Sequence, residues 1–362
     1  MELEKLKFIF GQFEHDAKFG SYTELVSGHI NDTYLIKSNI KPHFVLQRIN
    51  HDVFKDVPRL IENKVLISKH IQKNLSHLSE KKQNRRILKF YRAKSGAFYY
   101  RSNDGNYWNL MHFIDKSVTY ETVPNEAIAY QGGCLLGQFL TLTSDFDASK
   151  LFEVIPKFHD MSFRYWEFEE SKRFASKEQL EKAKPYRAMV ENAKEEMHIL
   201  QNLKESGDIR LRVTHNDAKI SNILFSKQNK GLCVIDTDTI MPGIVHYDFG
   251  DAVRTICNTV AEDETNLDIM EFNICFYNAF TKGFLKKMKN VLTPMEIEYL
   301  PLGAKTMIFI MALRFLTDYL NGDIYYKIKY PEHNLDRAKN QFKLLESFSR
   351  QMENPNILKL TD

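Results

Sequence analysis

The feature that most restricts the fold is a change of pattern near residue 115. Before it, short β-like runs dominate with one helical segment among them; after it, long helical patterns take over. Tyr22–Val26 and Thr33–Ile36 flank the turn-forming SGHIND, and HFVLQRI at 43–49 reads as a third strand. Over Val57–Ile71 the apolar residues Leu60, Ile61, Val65, Ile67 and Ile71 fall at helical spacing. Ile87–Ala93 and Ala97–Arg101 are joined by KSG as a hairpin, and Asp104-Gly105 turns the chain into a strand over Tyr107–Phe113. Five or six strands and one helix describe a small antiparallel sheet with a helix packed on it. The later part predicts a helix from Asn125 to Phe139, a helical pair over about 177–204 and a strand-loop-strand region over 211–239. Further helices are expected over about 246–262, 266–288, 294–321 and 333–352. The class is α+β, with an N-terminal lobe at 1–115 and a mainly helical C-terminal lobe at 116–362.

Composition narrows the function classes. With 50 Lys plus Arg against 47 Asp plus Glu the net charge is only +3, which excludes nucleic-acid binding by bulk charge. The four cysteines have no CxxC spacing, so neither a disulfide scaffold nor a zinc ribbon is expected, and they read as small buried hydrophobes in a reducing compartment. The N-terminus carries acidic residues and no long apolar run, unlike a signal or transit peptide. Met307–Leu313 is closed by Arg314 and is too short to span a bilayer. The expectation is a soluble cytoplasmic protein with no membrane or nucleic-acid partner. No coiled-coil pattern appears, so a monomer is the default.

The chemistry sits in VTHNDAKISNILF, VIDTDTIMPG and YDFGD. His215, Asp217 and Asn222 form an H-x-D-x-x-x-x-N pattern, followed by an apolar strand ending in Asp236. The pattern alone is weak; the flanking strands and the β-rich part upstream make it specific. Phosphoryl transfer needs this set. Asp217 would orient an acceptor hydroxyl and take its proton, while Asn222 and Asp236 would supply hard oxygen ligands to the Mg2+ that accompanies ATP. Lys219 is placed to meet negative charge developing on the transferred group. His215 reads as a packing residue under the loop, and Asp248 as a loop anchor. Asp238, on an extended segment, would point to the same side as Asp236.

On these residues the chain resembles the kinase-like phosphotransferases that include aminoglycoside, choline and homoserine kinases, and among them most the N-acetylhexosamine 1-kinases. The similarity runs from about residue 20 to 345. It is carried by GHINDTYLI (28–36), FVLQRIN (44–50), VTHNDAKISNIL (213–224), IDTDTIMPG (235–243), YDFGD (247–251) and RFLTDYLNGDIYYKIKYPEHNL (314–335). The Asp217 motif specifies only a kinase; the first and last segments are the more specific ones.

The resemblance implies a bilobal protein-kinase-like fold, ATP and Mg2+ as cofactors, and transfer to the anomeric hydroxyl of N-acetylglucosamine or N-acetylgalactosamine. It implies sugar contacts for His29, Arg314 and Tyr325, with Gly28 in the loop that covers the phosphates. Asp318, four residues after Arg314, is the structural alternative as an ion-pair partner. By fold-level analogy, backbone groups near Phe113 and Asp115 would bind adenine. The usual third-strand lysine is absent: Gln47 and Arg48 stand where it would fall, and the N-acetylhexosamine kinases lack that lysine too. Phosphate neutralisation then falls to Arg48 or Lys219, and Glu62 on the next helix reads as a surface charge. The alternatives are a kinase of the same fold with another acceptor, or a pseudokinase binding module.

Overall fold

The computed structural model describes residues 2–25, 30–355 and 357–360. Gly28 and His29 lie outside them. In chain order the first elements are α1 (Glu2–Phe10), β1 (Phe19–Glu24), β2 (Asp32–Ser38), β3 (Phe44–Ile49), α2 (Val57–Asn74), α3 (Glu80–Gln83), β4 (Tyr100–Arg101), β5 (Tyr107–His112) and β6 (Ser117–Val118). Then come α4 (Glu126–Leu142), α5 (Met161–Phe174), α6 (Lys177–Asn192), α7 (Lys194–Ser206), β7 (Arg212–Thr214), β8 (Ile223–Ser226), β9 (Gly231–Val234) and β10 (Met241–Gly243). The chain ends with α8 (Val245–Ile256), α9 (Ile274–Met288), α10 (Pro294–Glu298), α11 (Leu300–Leu320) and α12 (His333–Met352). This is the α+β class that the pattern predicts.

The chain divides into two compact units. The first holds Met1–Val118, Leu142–Ile155 and Leu224–Pro242; the second holds Thr119–Thr141, Pro156–Ile223 and Gly243–Asp362.

In the first unit the strands form an antiparallel sheet in the order β1-β2-β3-β5-β4. Side chains alternate across it. Phe44 and Leu46 of β3 face one side, with Tyr34, Ile36, Trp108 and Leu110, and there Leu6, Ile9 and Phe10 of α1 cover them. Gln47 points to the other side, where Lys64 of α2 donates to it. Helix α1 is absent from the sequence expectation, although Leu6, Ile9, Phe10 and Phe13 follow the helical spacing of a buried stripe. The strand expected over 87–93 reduces to single bridges at Phe90 and Ala93.

In the second unit, α8 and α11 meet backbone to backbone. A Cβ on Gly250 would lie 2.2 Å from the Gly303 carbonyl oxygen, so only glycine allows this crossing. That approach sets α8, which bears Asp248 and Asp251, against α11, which bears Arg314. By length and mean hydropathy (1.4) α11 could cross a membrane, yet 72% of that apolar window is buried, and the helix forms the core of the unit. Several boundaries differ from expectation. Asn273 caps α9, so it starts at Ile274 rather than near 266. Asp160 caps the unforeseen α5. The helix expected over 294–321 breaks at Tyr299 into α10 and α11.

Candidate active site

The loop after β7 carries the second unit's acidic group. Asn216 adopts a left-handed backbone (φ 61), which asparagine tolerates better than most residues. The successive N–H groups of His215 and Asn216 both donate to Asp248, each at 2.7 Å. Asp248 is fully buried, and burial pushes its carboxyl up to about 6 despite these donors and the nearby His215. Asp248 therefore anchors the loop, as its place in YDFGD suggested. His215 is fully buried against Phe139, and its Nδ1 accepts from the Asp217 N–H at 3.3 Å.

Asp217 projects from this fixed loop with its side chain 31% exposed. Its Oδ2 lies 3.0 Å from the Lys219 ammonium and accepts from Asn222 Nδ2 at 2.8 Å. Burial alone would raise its pKa, but the charge of Lys219, the Lys219 contact, His215 and Asn222 hold it below the usual carboxylate value. The group is thus ionised, reachable and oriented, as an acceptor of a hydroxyl proton must be.

Asn222 also donates to the Asp217 carbonyl at 2.8 Å. Its amide nitrogen is therefore committed to Asp217, which turns the amide oxygen the other way. Asp236 belongs to the first unit and sits in a left-handed conformation (φ 59, ψ 56) just past β9. Among the described residues no group of three or more His, Cys, Asp or Glu side chains forms a metal cage. The Asn222 amide oxygen in the second unit and the Asp236 carboxylate in the first are each hard oxygen donors of the kind Mg2+ takes, and Mg2+ keeps most of its shell for water and phosphate oxygens. The backbone after Asp236 is a 3-10 turn over Thr237–Thr239 rather than an extended segment. Asp238 consequently turns inward, to 4% exposure, and ion-pairs with Lys64.

Arg314 lies in the second unit within a ring of aromatic faces: Phe158 at 5.0 Å, Tyr326 at 5.4 Å and Tyr325 at 5.5 Å from the guanidinium carbon. Asp318 is not its partner. That carboxylate accepts from the Tyr325 N–H (2.8 Å), the Tyr326 N–H (2.9 Å) and Asn334 Nδ2 (2.9 Å), so it holds the tyrosine loop instead. Tyr325 is 53% exposed. Sequence reasoning missed His159, whose Nε2 lies 3.4 Å from the Asn216 carbonyl. Burial first, then Arg314 and Arg164, push its imidazole down to about 3, while Asp217 acts in the opposite sense. A neutral imidazole thus senses both the Asp217 loop and Arg314.

The remaining expected residues belong to the first unit. Phe113 gives its N–H to the His43 carbonyl at 2.7 Å, so its carbonyl is what it can offer adenine. Asp115 ion-pairs with Lys41. Arg48 is bonded to Asp32, its cross-strand neighbour, and to Asn106 at 3.3 Å. Glu62 is exposed, as a surface charge should be.

Comparison with known proteins agrees with this reading of the fold. Three solved structures are similar over nearly the whole chain. A microcompartment-associated aminopropanol kinase is 14% identical with a TM-score of 0.62, covering 99% of each chain. A choline kinase from Cryptosporidium parvum Iowa II is 13% identical with a TM-score of 0.58, covering 92% of this chain and 91% of that one. An aminoglycoside phosphotransferase with ADP bound is 18% identical with a TM-score of 0.51, covering 91% and 95%. The family model described as phosphotransferase enzyme family matches residues 21–268, more than half of the sequence and inclusive of Asp217, Asn222, Asp236 and Asp248, and the chain belongs to that family.

Proposed function

We propose that this phosphotransferase is an ATP-dependent kinase that phosphorylates the anomeric hydroxyl of N-acetylglucosamine and N-acetylgalactosamine. The observation that carries the reaction type is Asp217: ionised, partly exposed, and fixed by Asn222 and by a loop hung from Asp248. Its carboxylate orients the acceptor hydroxyl and receives its proton as that oxygen bonds to the γ-phosphorus, the bond from that phosphorus to the bridging oxygen breaks, and ADP leaves. Lys219, 3.0 Å away, lowers the energy of negative charge near the transferred group. Asn222 and Asp236 would each offer an oxygen to Mg2+, which when bound would screen the phosphate charges. Backbone groups at Phe113 and Asp115 receive adenine, with Gly28 on the phosphate side, while Arg48, which leaves the opposite face of the sheet from Gln47 and is bonded to Asp32, contributes least to the phosphates. Nucleotide binding is also supported by the similar enzyme that carries ADP.

The acceptor class rests on Arg314 and Tyr325, with His29 as the third contact. A guanidinium among aromatic rings gives N–H donors for sugar oxygens and a flat face for the pyranose ring. Choline and aminopropanol, for which two similar enzymes are named, are cations at neutral pH. A cation placed against Arg314 would meet like charge, so a neutral polyol fits better. The test is magnesium-dependent ATP consumption with N-acetylglucosamine, N-acetylgalactosamine, glucose, galactose, choline and kanamycin, with Asp217→Asn as control. Turnover of the two N-acetyl sugars, lost in the variant, is expected. Turnover of choline or kanamycin instead would discard the acceptor assignment and keep the catalytic one.

A further inference from the structure

The first unit buries a lysine and an aspartate against each other, and neither takes part in the chemistry assigned above. Lys64 is 2% and Asp238 4% exposed. Lys64 belongs to α2, on the stripe that buries Leu60, Ile61 and Val65. Lysines are seldom placed there, because a buried ammonium is costly unless it is paired and hydrogen-bonded. This one is both. It ion-pairs with Asp238 and donates to Gln47 Oε1 at 3.3 Å.

Asp238 is a hub. Besides Lys64 it accepts from Gln47 Nε2 at 3.4 Å and from Asn31 Nδ2. Asn31 also accepts from the Asn50 N–H at 2.8 Å, which ties the start of β2 to the end of β3. The neighbour of Lys64, Asn63, donates to the Ile240 carbonyl at 2.8 Å and to the Phe152 carbonyl at 2.7 Å. Two consecutive residues of α2 therefore grip the segment 238–240 from one side. This segment begins two residues past Asp236, whose left-handed backbone is uncommon for a residue with a side chain and persists only where its surroundings dictate it.

We infer that the Lys64–Asp238 pair is a positioning device that aims the Asp236 carboxylate at the metal, with its cation on the helix rather than on the third strand. Here the helix supplies the cation, the third strand supplies the neutral Gln47, and the carboxylate lies on the metal-binding segment itself. Lys64 and Asp238 act through Asp236 and are positioning residues, not catalytic ones. The inference rests on the reading of Asp236 as a metal ligand.

The test compares Lys64→Met, the double variant Lys64→Met/Asp238→Asn and Asn31→Ala with the parent protein. The double variant removes the charge that a single change would strand in the core, and Asn31 is only half-buried, so its variant keeps the fold. ADP binding is measured by calorimetry with Mg2+ and again with EDTA, together with the melting temperature without ligand. Groups that orient a metal ligand typically change metal affinity roughly 10–100-fold. The Lys64 variants should weaken Mg2+–ADP binding by about tenfold or more and leave binding in EDTA unchanged, and Asn31→Ala should move in the same direction by less. Folded variants with unaltered Mg2+–ADP affinity would overturn the inference. If the Lys64 variants do not fold, Asn31→Ala decides by the same criterion. Asp236→Asn separates the two levels. If it binds Mg2+–ADP like the parent, the metal-ligand reading itself fails; if it loses that binding while the Lys64 variants keep it, only the present inference fails.

Discussion

The two units each fix an acidic loop through a buried aspartate, and they do so by opposite means. In the second unit Asp248 is satisfied by two successive backbone N–H groups at 2.7 Å, and its carboxyl rises to about 6. In the first unit Asp238 is met by the buried ammonium of Lys64 and by two side-chain amides. Backbone donors fix the direction of the chain that donates them, so Asp248 sets the path of His215–Asp217 directly. An ion pair fixes elements far apart in sequence, so Asp238 gathers β2, β3 and α2 around the segment that carries Asp236. The first device orients one loop closely; the second aligns several elements around one charge.

The largest effect should come from the residue that the first device aims. Asp217→Asn keeps the shape and removes the proton acceptor, so kcat should fall by about 10²–10⁴-fold with the melting temperature unchanged. Steady-state rates with a calorimetric melt would check it, and a loss below tenfold would remove Asp217 as the base.

Asp248→Asn challenges the anchor itself. An amide has one accepting oxygen for two donors, so one buried N–H loses its partner, at a cost of about 1–3 kcal/mol. The raised pKa also predicts a pH dependence. Between the ordinary value of 3.8 and about 6 the folded state holds a proton that the unfolded state has released. The stability from this group is therefore complete below about 3.8 and is lost as pH rises through about 6, a change on the order of 3 kcal/mol. Of its neighbours, His215 lowers this pKa and Asp251 raises it. In catalysis the sign reverses: the ionised form accepts both N–H groups, so kcat should fall as pH drops through about 6. Asp217, held below the usual range, does not titrate there. Asp248→Asn should flatten that limb, and a limb that survives belongs to another group.

Arg314→Met should follow. Losing charged hydrogen bonds to a substrate costs about 1.5–3 kcal/mol, so the acceptor KM should rise roughly 10–100-fold while the KM for ATP holds. A change in both would mean that Arg314 supports the fold of the second unit rather than the acceptor.

How far these devices are legible from sequence follows from the same contrast. Asp217, Asn222 and Asp236 stand out because their spacing is fixed by local chain geometry, and Asp248 because it belongs to a short acidic motif one turn into a helix. The pair Lys64–Asp238 is separated by 174 residues, and nothing local joins its members. A signal exists nonetheless: Lys64 interrupts the apolar stripe of α2, where a charge needs a partner. Kinases carry a glutamate on that helix, which singles out Glu62 instead, and Glu62 is exposed. Arg314 shows the reverse case, in which the local rule offers a partner that the fold withholds. The i+4 rule offers Asp318, but Asp318 is claimed by the backbone of Tyr325 and Tyr326, contacts that depend on how a loop folds back. Helix α1 and the 87–93 segment depart from expectation for tertiary reasons, the helix being stabilised by the sheet it covers and the strand being reduced to bridges.

The smallest effect is expected at Arg48, and it tests the contrast between the faces of the first unit's sheet. Arg48 follows Gln47 on β3, so the two side chains leave opposite sides of the sheet. Gln47 reaches Lys64 and Asp238, whereas Arg48 bonds to Asp32 and Asn106 and is 41% exposed. A pair this exposed contributes about 0–1 kcal/mol to stability. Arg48→Ala should therefore lower the melting temperature slightly and raise the KM for ATP by less than Lys64→Met does. Parallel titrations of ATP at fixed Mg2+ would rank the two. Should Arg48→Ala produce the larger rise, the phosphates draw on the Arg48 face of the sheet, and the Lys64–Asp238 pair loses its role in binding the nucleotide.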